Sequence, residues 1–224
     1  MYMQYGGGRL GAPNQMEPDM KNEVEFLFDY GSPFSYLASL QIEGLAKRNG
    51  AAVVYTPILL GAVLKATGNN SPMTVPAKGR YMAVELQRWS TRYGVIFKPN
   101  PHAFLSNTLR LMRGAVAAQK LGFFFLYHRA VYRAVWGEAL DLGDDAVLAR
   151  LLDKIGVPAA ELMAAAEHQD VKDQLRHNTD HAIERGVFGA PTFLVADEMF
   201  WGNDRLDFVE ERLRRLAWVE TARE

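Results

Sequence analysis

Val24-Glu25-Phe26-Leu27-Phe28 runs directly into Asp29-Tyr30-Gly31-Ser32-Pro33, and the reading of this stretch decides the fold. Val24, Phe26 and Phe28 alternate with Glu25 and Leu27, the period of a strand. Ser32 before Pro33 then starts a helix. A serine hydroxyl caps free backbone N–H groups, and proline at the first helical position gives up a donor that has no intrahelical acceptor. Phe34, Leu37, Ala38, Ile42, Leu45 and Ala46 follow at helical spacing, with Glu43 and Lys47 expected to pair on the wet face. Asn49-Gly50 ends the helix, and residues 52–58 form a second apolar, β-branched strand. Strand, helix and strand within residues 24–58 make a βαβ unit, so its two strands are expected to be parallel.

Beyond this unit the texture changes. From Leu60 to about Arg185 the apolar spacing is helical, with amphipathic helices expected over 81–93, 109–121, 124–136, 145–155 and 159–166. Strand character returns at 192–195 and 199–201, with a turn at Ala196-Asp197-Glu198 between them, which predicts an antiparallel hairpin. Pro191 stands at the mouth of the first of these strands, and Ala190–Pro191 is a candidate cis bond. The last helix is expected to open at Asp204, with Asp207 in its first turn and Leu206, Val209, Leu213 and Leu216 as its buried stripe. The order βαβ, helical block, ββα predicts an α/β protein with a thioredoxin-like fold and a large all-helical insertion. Residues 23–60 and 186–220 are expected to build the thioredoxin-like part and 61–185 the insertion. Residues 1–22, rich in glycine and without periodicity, read as a flexible extension.

Composition narrows the chemistry. The chain has no cysteine, which removes disulfides, thiolate metal sites and nucleophilic or redox chemistry by a protein thiol. If thiol chemistry occurs, the sulfur comes with a ligand. With 25 basic and 26 acidic residues, nothing favours nucleic acid or an anionic membrane. The most apolar stretch, residues 51–64, is broken by Pro57 and Gly61 and is shorter than the ~20 residues that span a bilayer, so the expected location is the cytoplasm. His177 and His181 lie four apart, but no cysteine or acidic third ligand accompanies them, and no metal site is expected.

Where a redox thioredoxin opens its first helix with two cysteines, this chain has Ser32-Pro33-Phe34-Ser35. From residue 28 to 38 the sequence FDYGSPFSYLA resembles the opening signature of the kappa-class glutathione transferase and 2-hydroxychromene-2-carboxylate isomerase family. Thr67-Gly68-Asn69 with Pro72, then Pro76-Ala77-Lys78 and Arg88-Trp89, are similar to that family's loop and first inserted helix. Val-Trp-Gly-Glu at 135–138, Val187-Phe188-Gly189-Ala190-Pro191-Thr192-Phe193 and Trp201-Gly202-Asn203-Asp204-Arg205 follow in the family's order. Tyr30-Gly31 and the segment 100–104 depart from typical isomerases, which bears on the acceptor rather than on glutathione.

The resemblance implies glutathione as cofactor, a small aromatic substrate and a homodimer. It marks Ser32 as catalytic, and physical chemistry suits that place: a hydroxyl and open N–H groups at a helix N-terminus favour an adjacent anion such as a glutathione thiolate. Plain N-capping is the alternative. It further implies glutathione contacts at Ser32, Lys78, Ala190, Pro191, Trp201, Gly202, Asn203 and Asp204, and acceptor contacts at Lys65 and Asn69. Asp204 is equally an N-cap candidate, and Pro191 a structural proline. The leading function is glutathione-assisted isomerisation of an aromatic unsaturated keto acid. Conjugation of glutathione or peroxide reduction, as in kappa transferases, is the alternative, and a non-catalytic binding module of the same fold is a third reading.

Overall fold

The computed structural model describes residues 22–105 and 108–221. The extension expected at 1–22 lies outside them except for Asn22, whose amide donates to Asn49 O. The chain runs β1 (Glu23–Phe28), α1 (Pro33–Arg48), β2 (Ala52–Pro57), α2 (Leu60–Thr67), a 3₁₀ turn (Pro72–Thr74), α3 (Pro76–Tyr93), α4 (Pro101–Leu105), α5 (Leu109–Leu121) and α6 (Phe124–Tyr132). A π-helical turn (Arg133–Gly137), α7 (Asp145–Lys154), α8 (Ala159–Ala165) and α9 (Gln169–Glu184) follow. The chain closes with β3 (Thr192–Val195), β4 (Glu198–Trp201), a 3₁₀ turn (Asn203–Arg205) and α10 (Leu206–Thr221).

The sheet order is β2-β1-β3-β4. β1 pairs parallel with β2 and antiparallel with β3, and β3 pairs antiparallel with β4. This is the mixed sheet that βαβ followed by ββα requires. Because β1 is central, helices cover both its faces. Val24, Phe26 and Phe28 join the main core with α1, α5, α6 and α10, while Leu27 packs with Ile58, Val63, Ala182 and Val187 under α2 and α9. β2 is an edge strand, and its outward Val54 stays exposed.

Three sequence-based expectations change. Glu43 does not depend on Lys47: its carboxylate accepts from Arg129 at 2.6 Å and from Tyr55 Oη at 3.0 Å, because α1 faces α6 and β2 there. The helix expected over 124–136 is α-helical only to Tyr132 and then widens into the π turn, which leaves Trp136 fully buried. Asp204 does not open α10, which starts at Leu206 after the 3₁₀ turn. α9 falls within the helical block expected to about Arg185. Its buried stripe of Val171, Leu175, Thr179 and Ala182 is narrow within a mostly polar helix.

Beneath the β1–α1 turn lies an aromatic nest. His128 is surrounded by Phe28, Tyr55, Phe124 and Tyr132 at ring separations of 4.7, 5.1, 5.0 and 4.9 Å. Its Nδ1 meets Tyr30 Oη at 3.2 Å, and its Nε2 is buried without a partner. Burial disfavours the imidazolium and lowers its pKa to about 3. Unfolded, the ring takes its proton near pH 6.5, so the contribution of neutral His128 is complete above that pH and is lost as the pH falls towards 3. At pH 5 the expected loss is about 2 kcal/mol relative to neutral pH. Urea unfolding of the parent and of His128→Leu at pH 7 and pH 5 checks this: the variant should lack that part of the pH dependence. Equal slopes in both would show that His128 is not held neutral.

Candidate functional site

Ser32 is the N-cap of α1, in extended backbone at φ −95° and ψ 113°, with Pro33 at the first helical position. Its Oγ accepts from Ser35 N at 3.1 Å and donates to Ala190 O at 3.0 Å. The hydroxyl therefore caps the helix and also touches the loop that enters β3, where the Ala190–Pro191 bond is cis. That loop is closed by Gly202 N donating to Pro191 O at 2.9 Å and by Thr192 Oγ1 donating to Gly189 O at 2.8 Å. Trp201 from β4 lies across it. A Cβ at residue 189 would sit 2.5 Å from the indole Nε1, so glycine is required for this approach.

Two clefts meet along this line. One, of about 580 Å³, is lined by Ser32, Leu64, Asn69, Lys78, Met82 and Trp201 among others. The other, of about 250 Å³, is lined by Pro191, Gly202, Asn203, Asp204 and Trp89. Phe34, Ala190 and Trp201 belong to both, so the clefts form one groove that crosses the Ser32–Pro191 line.

The structure thus brings together Ser32, Asn69, Lys78, Ala190, Pro191, Trp201, Gly202, Asn203 and Asp204. Lys65 is not brought in. It is exposed on α2, which turns Leu60 and Leu64, four residues apart on one helix face, to the cleft instead. Asn69 is already engaged: its Nδ2 donates to Phe188 O at 2.9 Å and its Oδ1 accepts from Asn70 N at 2.8 Å.

Asn203 is buried, and its Nδ2 has no partner, an orphaned donor beside the smaller cleft. Its carbonyl accepts from Tyr93 Oη at 3.2 Å. Asp204 is exposed and pairs with Arg205 at 2.5 Å rather than capping a helix. The cap position of its 3₁₀ turn is Gly202, at φ 106°, which has no side chain to offer.

Phe34, Met82 and Trp89 also line the groove, although sequence reasoning did not assign them to it. Lys78, Met82, Glu85 and Trp89 fall at helical spacing along α3, a signal that was present in the sequence. Three side chains that could hold a metal ion do not cluster anywhere among the described residues, and no helix among them is long and apolar enough to cross a membrane.

Comparison with known proteins places the chain in a family. The DSBA-like thioredoxin domain profile matches residues 23–214. A 2-hydroxychromene-2-carboxylate isomerase of Sphingobium xenophagum is 34% identical over 196 residues, covering 87% of this chain and 99% of that protein. The chain belongs to the 2-hydroxychromene-2-carboxylate isomerase family of DSBA-like thioredoxin domains. A solved structure of a 2-hydroxychromene-2-carboxylate isomerase superimposes with a TM-score of 0.81 at 32% identity, covering 90% of this chain and 99% of that one. Glutathione S-transferase kappa 1 of Homo sapiens is similar at 26% identity over 208 residues, covering 85% of this chain and 90% of the relative. In this chain the first helix of the DSBA-like fold opens on a serine, Ser32.

Because Asp204 caps nothing, Asp204→Ala should unfold within about 1 kcal/mol of the parent, the range of an exposed ion pair. Chemical denaturation checks this. A loss near 2 kcal/mol would restore the capping role.

Proposed function

We propose that the protein is a glutathione-dependent isomerase of an aromatic, carboxylate-bearing unsaturated keto acid, of the 2-hydroxychromene-2-carboxylate isomerase kind. The observation that carries this reading is the Ser32 hydroxyl, seated at the N-terminus of α1 against the cis-proline loop in a chain without cysteine. The residues present suit glutathione. The Nδ2 of Asn203 is a donor without an acceptor, and the backbone edge at Ala190, next to the cis-proline, suits strand-like pairing with a peptide. The chemistry that glutathione supplies when bound is a thiolate nucleophile for the conjugated double bond, whose temporary loss frees rotation.

The protein's part is electrostatic and geometric. Ser32 Oγ–H, which donates to Ala190 O in the structure, would be the donor to the sulfur anion of bound glutathione, and the open N–H groups of α1 would add to the same field. Both favour thiolate over thiol. Trp201, Gly202, Asn203 and Asp204 would hold the γ-glutamyl end, and Lys78 would provide a cation for a carboxylate in the larger cleft. Phe34, Leu64 and Met82 form the apolar wall for the aromatic ring. Asn69 retains a second amide N–H for the acceptor. The same reading includes a homodimer working in the cytoplasm.

Ser32→Ala should lower turnover by ~10²–10³ while changing glutathione affinity far less, since the lost donor acts on the anion. The ultraviolet absorbance of bound thiolate against pH should give a lower apparent pKa in the parent than in the variant. Near-parental turnover in Ser32→Ala would leave the residue as a helix cap only. Saturating glutathione should also raise the parent's stability, by about 2.7 kcal/mol at one hundred times its dissociation constant. The absence of any melting shift would remove the cofactor. Similarity to the human kappa enzyme favours glutathione conjugation as the second reading, and a stable thioether product would select it.

A further inference from the structure

Asp29 opens the turn out of β1, three residues before Ser32, and is buried to 2% exposure. Its Oδ1 accepts from Gly31 N at 2.8 Å and its Oδ2 from Leu60 N at 2.9 Å, and the Thr108 side chain adds a third hydrogen bond. Its own carbonyl accepts from Ser32 N at 3.0 Å and from Tyr132 Oη at 3.3 Å. No lysine or arginine among the described residues compensates it. Burial pushes the carboxyl's pKa up, and the three hydrogen bonds pull it part of the way back. A buried carboxylate without a cation is costly, and an apolar side chain would fill the same space at less cost.

What an apolar side chain cannot do is hold two backbone N–H groups from different segments at a fixed separation. Gly31 N belongs to the turn that places Ser32. Leu60 N belongs to the first residue of α2, a helix whose N-cap, Leu59, makes no side-chain capping bond. Asp29 is therefore the remote cap of α2. The packing there is close: a Cβ on Gly31 would lie 3.0 Å from Thr108 Cγ2 and 3.3 Å from Asp29 Oδ1. Beyond its other end, α2 is strapped to the cis-proline loop by Asn69 donating to Phe188 O. The cleft wall carrying Leu60 and Leu64 thus hangs between two side-chain clasps, one on each side of the reactive line.

We infer that Asp29 is a positioning residue: its carboxylate fastens the turn before Ser32 to the first residue of α2 and so sets the cleft width at which the sulfur meets the acceptor. The inference rests on the isomerase reading. In Asp29→Asn, glutathione affinity measured by calorimetry should stay within about threefold of the parent, because the residues assigned to glutathione lie mostly on the far side of the groove. At saturating glutathione, kcat/KM for a hydroxybenzylidene-pyruvate should fall by about tenfold to a hundredfold, the scale of a misplacement near 1 Å.

If Asp29→Asn does not fold, Leu60→Pro removes only the second donor at a position where proline is compatible with a helix, with Leu60→Ala as the control for the lost side chain. Leu60→Pro should then show the same selective loss beyond that of Leu60→Ala. Parental kcat/KM in the folded variants, or a loss of glutathione affinity in proportion to turnover, overturns the inference. If the parent neither binds glutathione nor converts the keto acid, the isomerase reading fails by itself. Hydrogen exchange then decides the clasp, and unchanged protection of the Leu60 amide in Asp29→Asn overturns it.

Discussion

The hydrogen bond from Ser32 Oγ to Ala190 O joins residues 158 positions apart and defines where the groove can form. One such bond contributes only about 1 kcal/mol net, so it reports the arrangement rather than enforcing it. The sheet enforces it. β1 and β3 are antiparallel neighbours with Leu27 opposite Thr192, so the residues that leave β1 and those that enter β3 meet at one sheet edge. The parallel β2 on the other side of β1 delivers the start of α2 to the same edge. The start of α1, the start of α2 and the proline loop therefore converge because of strand order, without need of a long-range tether.

The helical block satisfies the turn as well as walling the groove. Tyr30 N donates to Met112 Sδ at 3.3 Å, Tyr30 O accepts from Trp136 Nε1 at 2.8 Å, and Asp29 O accepts from Tyr132 Oη. These partners come from α5, the π turn and α6. Without them the backbone of a buried turn would be left with unpaired polar groups, each costing more than the hydrogen bond it lacks. The widened π turn at 133–137 makes sense in this setting, since it seats the Trp136 ring where its N–H reaches Tyr30 O. Tyr30, His128 and their aromatic neighbours form a rigid floor under Ser32, and the buried phenol and imidazole are kept in their neutral forms by desolvation.

Much of this was legible residue by residue. The alternation before Asp29, the Ser-Pro helix start, the Asn-Gly stop and the hairpin after Pro191 are local signals. Each depends on side-chain period or on backbone groups a few residues away. The misreadings share one cause. Glu43 had a plausible partner four residues on, but its actual partners, Arg129 and Tyr55, come from other elements. Asp204 looked like a cap because aspartate often is one, yet the chain makes a 3₁₀ turn before α10 begins. Lys65 sits beside Leu64 in sequence, while the roll of α2 against α9 gives the cleft to Leu64.

The sequence by itself determined the order of strands and helices, the parallel pairing within the first βαβ unit, the capped start of α1 at Ser32 and the absence of protein thiol chemistry. Those follow from periodicity, capping and composition, which act over a few residues or over none. Only the tertiary structure decided that Ser32 touches Ala190, that Asn203 carries an orphaned donor, that Asp29 caps a helix beginning at Leu60, and that Asn69 is strapped to Phe188. Each of these is a contact between distant segments whose distance is set by sheet register and helix packing. No local pattern encodes such a distance, because it is the sum of many packing choices made elsewhere in the chain.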